Sequence, residues 1–213
     1  MFALAIDTSS PAVTAAVVTT DLELVVSRTP IAARGHGELL SPSIAEVLVD
    51  AGLTPAELDV IVVGTGPGPF TGLRVGLVTA AALAHALDVP AYGVCSLDAI
   101  GALYPDDPAL LVATDARRKE VYWARYEHGV RVGEPGVARP EDVPLDGVTS
   151  VAGPELYDWP GLERRPAHHP DPVALVRLAQ PRIESGAPAD PLPPLYLRRP
   201  DAVVPGAPKA VRQ

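Results

Sequence analysis

The sequence predicts an α/β fold in which a mixed sheet is covered by helices, built as two related βββαβα lobes with the second one reduced. Three observations carry this. The chain opens with strand-like runs joined by short turn-prone links, the pattern of an antiparallel meander. An apolar run, Val60–Val63, enters a Gly/Pro-rich turn and then a long Ala/Leu-rich helical segment. Asp7 and Asp115 occupy matching positions at the end of a first strand, a faint sign of internal duplication.

The elements follow in order. Strands are expected over Phe2–Asp7, Ala12–Thr19 and Leu22–Thr29, separated by Thr8-Ser9-Ser10-Pro11 and Thr20-Asp21. A helix is expected over Glu38–Ala51, with Leu39, Leu40, Ile44, Val47 and Leu48 near one face and Gly52 at its end. Thr54-Pro55-Ala56-Glu57 has the cap-type Thr, early Pro and third-position Glu of a helix start. Strand Val60–Val63, helix Thr71–Leu87, strand Val89–Val94 and a short helix Leu97–Leu103 complete the first half. The second half repeats the opening with strands Ala109–Thr114, Glu120–Glu127 and one beginning at Gly129–Val132. A further helix is expected over Pro172–Ile183, with Pro181 awkward near its end. The boundaries are a first lobe at 1–104, a reduced second lobe at 105–199 and a Pro/Gly/Ala-rich tail at 200–213, expected to be flexible.

Composition narrows the function. Hydrophobic residues make up 47% of the 213, enough for a substantial core, and aromatics only 5%, so aliphatic side chains must do the packing. A formal charge of −9 argues against broad nonspecific nucleic-acid binding, which rests on neutralising phosphates. Asp7 interrupts the apolar N-terminus, and the expectation is a chain with neither signal peptide nor membrane span. The single Cys95 cannot form an internal disulfide and fits a reducing cytoplasm, as a small core residue.

The run Gly64-Thr65-Gly66-Pro67-Gly68-Pro69-Phe70-Thr71-Gly72-Leu73-Arg74-Val75-Gly76 is the most distinctive stretch. It lacks the Gly-Lys-Ser/Thr of a P-loop and the spacing of a dinucleotide fingerprint. Two readings stand: a backbone cradle for an anion at a helix start, or a packing turn that lets the helix dock closely. Asp7, Thr8, Ser9, Gly66 and Gly68 are the residues that would face a phosphate or small ligand under the first. Under the second, Asp7-Thr8-Ser9-Ser10 is a turn held by side-chain hydrogen bonds.

On the following helix, Gly72, Gly76, Ala80 and Ala84 recur every four residues, which places them on one face. Interior glycines cost about 1 kcal/mol each relative to alanine, so a close contact should compensate. That contact is with the chain's own sheet or with a second chain. Leu40, Ile44, Val47, Gly72, Leu73, Gly76, Ala80 and Ala84 are the expected partner-binding residues under the latter reading.

Catalytic groups do not assemble in the sequence. The histidines are His36, His85, His128, His168 and His169, and none forms a His-Glu-x-x-His pair. His36-Gly37-Glu38 reads as a helix start, with Glu38 favoured in the first turn. No Gly-x-Ser-x-Gly elbow is present. Asp115-Ala116-Arg117-Arg118-Lys119-Glu120 is a charged hairpin, either a solvated turn or an ion-pairing surface. No catalytic residue and no metal ligand is assigned.

Ile6-Asp7-Thr8-Ser9, the Gly66–Gly76 run, Asp115-Ala116-Arg117-Arg118-Lys119-Glu120-Val121-Tyr122 and Pro194-Leu195-Tyr196-Leu197-Arg198 closely resemble the bacterial TsaB (YeaZ) family, in the family's order and over most of the chain. Pro69 departs from the Ser common there and removes both a hydroxyl and an amide donor. The resemblance implies an actin-like, Hsp70-like ATPase-type (ribonuclease H-like) fold. It implies a noncatalytic role in making N6-threonylcarbamoyladenosine at position 37 of tRNA. The partner is the transferase TsaD as a heterodimer, with TsaE in a larger assembly, tRNA met indirectly and ATP used at the level of the complex. The small-residue stripe also suits an isologous homodimer when TsaD is absent, and the expected location is the cytoplasm, as the single cysteine suggests. TsaD-type enzymes carry a metal-binding His-x-x-x-His pair, which this sequence lacks. Two other readings stay open: an ATP-dependent transferase or kinase using Asp7 and the glycine turn, and an M22-type glycoprotease homologue.

Overall fold

The computed structural model describes residues 1–32, 35–189 and 191–198. The tail expected at 200–213 lies outside the described residues.

Strands β1 (Phe2–Asp7), β2 (Thr14–Thr19) and β3 (Leu24–Arg28) form the expected meander. Helix α1 (His36–Asp50), a 3-10 turn at Pro55–Glu57, β4 (Val60–Gly64), α2 (Phe70–Leu87), β5 (Ala91–Val94) and α3 (Ser96–Gly101) follow. The Thr54 start is real but short: Glu57 Oε2 accepts from the Thr54 amide at 2.8 Å and the turn stops there. Strand β5 begins two residues later than the apolar run, because Asp88 turns left-handed (φ 55°) and the Val89 amide closes α2 onto the Ala84 carbonyl at 3.1 Å.

The second half holds β6 (Leu110–Asp115), β7 (Val121–Glu127), β8 (Val130–Ala138), β9 (Ser150–Ala152), β10 (Glu163–Arg164) and α4 (Pro172–Glu184). The aspartate before α4 caps it, with Asp171 Oδ1 accepting from the Ala174 amide at 2.8 Å. The helix runs through Pro181 to Glu184.

Two five-stranded sheets result, ordered β3-β2-β1-β4-β5 and β10-β9-β6-β7-β8. Counted from its own first strand, each reads 3-2-1-4-5. In each, the first three strands are antiparallel and the rest parallel. This repeated topology is that of the actin-like, ribonuclease H-like fold. The second copy is reduced in its crossovers. Where α1 links β3 to β4, only a 3-10 turn at Pro140–Asp142 lies between β8 and β9.

The central strands β1, β2 and β4 are buried on both faces, so they are largely apolar without alternation, while the edge strand β3 leaves Leu24 and Val25 exposed. Leu4, Ile6, Val17, Ile61 and Val63 face α1 and α2. Ala3, Ala5, Val18, Val60 and Val62 face Ala174, Leu175, Val176 and Ala179 of α4. The chain thus returns to the first sheet after building the second. The outer face of the second sheet is covered by loop side chains, Val143 and Trp159, against Leu111, Val121 and Val151.

One polar tie fixes the entry to the second sheet. Asp107 Oδ2 accepts from Ser150 Oγ at 2.6 Å and Arg165 Nε at 2.8 Å. Burial pushes its carboxyl up, but these two donors and the Ala109 amide outweigh that and hold it below the usual range. Asp107→Ala is expected to cost about 2 kcal/mol at pH 7, since hydrogen bonds to a charged group are lost and Ser150 is left buried. A carboxylate with a depressed native pKa stabilises above its unfolded pKa and loses that contribution on acidification. The gap between wild type and variant should therefore close as the pH falls below about 4. Urea unfolding at pH 7 and pH 3 checks both halves.

Candidate functional site

The C-terminal end of β1 meets the glycine turn in a closed knot. Asp7 is fully buried, and Thr8 and Ser9 nearly so. Asp7 Oδ1 accepts from the Ser9 amide (2.9 Å) and Ser9 Oγ (2.7 Å), and Oδ2 accepts from Ser96 Oγ (2.6 Å). Ser96 Oγ also lies 3.1 Å from the Gly66 amide, which ties α3 to the turn. Burial holds the Asp7 carboxyl above the usual carboxylate range, against the opposing hydrogen bonds from Ser96 and Ser9. Buried, with both oxygens engaged by hydrogen bonds, this carboxyl presents no free edge to a metal ion or a substrate.

Gly68 shows why the turn needs glycine. A Cβ there would stand 2.4 Å from the Ser9 carbonyl oxygen and 2.7 Å from Ser9 Cα, both backbone atoms. The candidate ligand residues Asp7, Thr8, Ser9, Gly66 and Gly68 are thus brought together, but they pack on one another and are all buried.

Thr8 accounts for the small-residue stripe. Its hydroxyl donates to the Gly72 carbonyl (2.8 Å) and accepts from the Gly76 amide (3.0 Å), the two groups that an α-helix joins to each other. A Cβ at Gly76 would sit 2.5 Å from that hydroxyl. The stripe makes room for the chain's own β1 end.

This corrects the expected docking set. Leu40, Ile44, Val47, Leu73 and Ala80 belong to the core beneath α1 and α2, Gly72 and Gly76 are buried against Thr8, and Ala84 packs partly on the same core. Among the residues that α1 and α2 expose is a different row, Ala45 and Val49 on α1 and Val78, Ala81, Ala82 and Ala86 on α2, bordered by Glu46, Asp50 and His85. Val49 is 76% and Val78 66% exposed. The helix Phe70–Leu87 is apolar enough to resemble a membrane span by composition, yet only 33% of it is buried here. The sequence signal for this face was available: Val75–Leu87 contains no Asp, Glu, Lys or Arg. A helix apolar all round has two faces to cover, and the fold covers one.

The remaining candidates do not form a reacting site. His36 Nε2 donates to the Ser10 carbonyl at 2.9 Å, so it braces the start of α1. Beside it runs a groove of about 430 Å³ lined by His36, Glu38, Pro69, Thr71 and Arg117, of mixed charge. His169 Nδ1 lies 3.4 Å from Ser10 Oγ. Among the described residues no group of three His, Cys, Asp or Glu side chains is placed to hold a metal ion. Burial pushes the Cys95 thiol up to about 12, which makes it a poor nucleophile. In the charged hairpin, Arg117, Arg118 and Lys119 are all left-handed (φ 63°, 55° and 62°), and Asp115 pairs with the Arg117 amide at 2.7 Å and its guanidinium at 3.3 Å.

Comparison with known proteins places this geometry. The family model for TsaD, tRNA N6-adenosine threonylcarbamoyltransferase, matches residues 28–150. An uncharacterized protein of Mycobacterium tuberculosis, Rv3421c, is 51% identical over 204 residues, covering 93% of this chain and 92% of that protein. The tRNA threonylcarbamoyladenosine biosynthesis protein TsaB of Escherichia coli is 34% identical over 142 residues, 61% of this chain and 62% of its own length. The solved structure of YeaZ from Pseudomonas aeruginosa superposes with a TM-score of 0.76 at 28% identity, covering 92% of this chain and 99% of that one.

Proposed function

Because this chain belongs to the TsaB/YeaZ family, we propose that it is the noncatalytic partner subunit for tRNA N6-threonylcarbamoyladenosine formation at position 37, docking on a TsaD-type transferase. One observation carries the reading: the outward row of α1 and α2 is small and apolar, with Val49 and Val78 largely exposed. Such a row suits close packing of a second helix pair. The contact excludes water from apolar side chains at little conformational cost, since Ala and Val have few rotamers to lose.

The closed Asp7 knot supports leaving the chemistry to the partner. In this reading TsaE joins through the transferase, tRNA is met indirectly, and ATP is handled by the assembly in the cytoplasm. The same face pairs isologously with a second copy when the transferase is absent.

Depletion of the protein, followed by mass analysis of tRNA nucleosides, tests the assignment. The expected result is loss of most threonylcarbamoyladenosine, restored by a plasmid copy. An unchanged level overturns it.

A further inference from the structure

We propose that residues 191–198 are an interlobe clasp that fixes the two sheets in one arrangement. The Pro-Leu-Tyr-Leu-Arg motif lies in this strap, and neither the knot nor the docking row uses it.

The strap is anchored in each lobe by an apolar plug and a polar tie. Leu192 is 8% exposed and belongs to the first-lobe core with Leu4, Ile6 and Leu73. Leu195 donates its amide to the Thr65 carbonyl at 2.8 Å, at the mouth of the glycine turn. Tyr196 stacks on Phe70 at 5.2 Å, and Arg74 bonds its hydroxyl at 2.7 Å while its guanidinium lies 3.7 Å over the Phe70 ring. One residue further on, the strap changes lobes. Leu197 packs on the second-lobe core around Tyr122, Val112 and Ala116. Arg198 pairs with Glu120 and reaches the Arg117 carbonyl at 3.5 Å.

The spacing matters. The strap holds both lobes within Leu192–Leu197, and Pro191, Pro193 and Pro194 restrict its backbone. Direct polar contacts between the lobes nearby are long: Tyr122 Oη to the Gly68 carbonyl and Ser10 Oγ to His169 Nδ1 are each 3.4 Å. The chain crosses between the lobes at α3, which joins β5 to β6, and again between β10 and α4; α3 and α4 pack on each other, so the two crossings lie together and the lobes can swing about them. The strap adds a further tie away from that axis, across the glycine turn and the β6–β7 hairpin. A body held at two separated points does not hinge.

The test is the width of an interlobe distance distribution. Spin labels go on Asp21→Cys in the β2–β3 turn and Glu141→Cys in the second lobe, both exposed, in a Cys95→Ser background and diluted with unlabelled protein so that only distances within one chain are read. Pulsed electron resonance on the full chain should give one narrow peak. Leu197→Ala/Arg198→Ala should broaden it about twofold, as expected once a hinge is free, with Arg198→Ala intermediate and Arg198→Lys near the parent. Unchanged width in the double variant overturns the clasp. If the double variant does not fold, Arg198→Ala alone decides, since it removes only the Glu120 pair and the long contact to the Arg117 carbonyl and leaves the apolar plugs in place: a broader peak supports the clasp and an unchanged one overturns it.

Discussion

Gly68→Ala should melt roughly 6–12 °C below the parent protein, a loss of about 3 kcal/mol, the upper range for overpacking a tight site. The added methyl meets the Ser9 carbonyl oxygen at 2.4 Å and Ser9 Cα at 2.7 Å. Neither atom can rotate away. Ser9 is held by its amide and its hydroxyl on Asp7 Oδ1, and Asp7 is held from its other oxygen by Ser96. Relief therefore means moving β1 or the turn, and the turn is held between the central strand β4 and helix α2. An anion cradle would give a different outcome, because the space beside Gly68 would be open and alanine would cost little. Thermal unfolding of the purified variant decides between them, and an unchanged melting temperature would remove the packed knot.

The second large effect is on binding. Val49→Arg combined with Val78→Arg should weaken association with the TsaD-type subunit about hundredfold, roughly 3 kcal/mol at 1.4 kcal/mol per tenfold. Two guanidinium groups would have to be desolvated against an apolar partner face. The fold should be untouched, since both valines face solvent in the isolated chain and surface changes of this kind stay within about 0.5 kcal/mol. Titration against the purified transferase, beside a thermal melt of each protein, gives the two numbers needed. Wild-type affinity in a folded double variant would move the interface elsewhere. Substitutions on the small-residue stripe cannot serve this purpose, because Gly72, Gly76 and Ala80 are inside the lobe and report on folding.

Much of the first lobe was readable from pattern. Strand β1 falls on Phe2–Asp7 as expected, and α2 differs from its expected start by one residue. Long apolar runs bounded by turn residues announce themselves. Strands β9 and β10 did not, since elements of three and two residues carry no periodicity. The stripe is the instructive case. Spacing establishes that a helix face lacks bulk, but not what fills the space. The occupant is Thr8, distant in sequence from the Gly72 carbonyl to which it donates, and only the β1–β4 pairing brings it there. The true outward row was legible in another way, through the missing charges of Val75–Leu87. Reading it required knowing which half of the helix the fold had already covered.

The placement of α4 has a consequence for synthesis. Ala3, Ala5, Val60 and Val62 gain their cover from residues 174–179, so most of the chain must leave the ribosome before the first sheet is sealed. Until then its back is an uncovered apolar surface on a nascent polypeptide, the kind of surface that recruits chaperones or sticks to its neighbours. Messages cut short before α4 would yield a sheet with one bare side, and cells should meet such fragments as aggregates or as protease substrates.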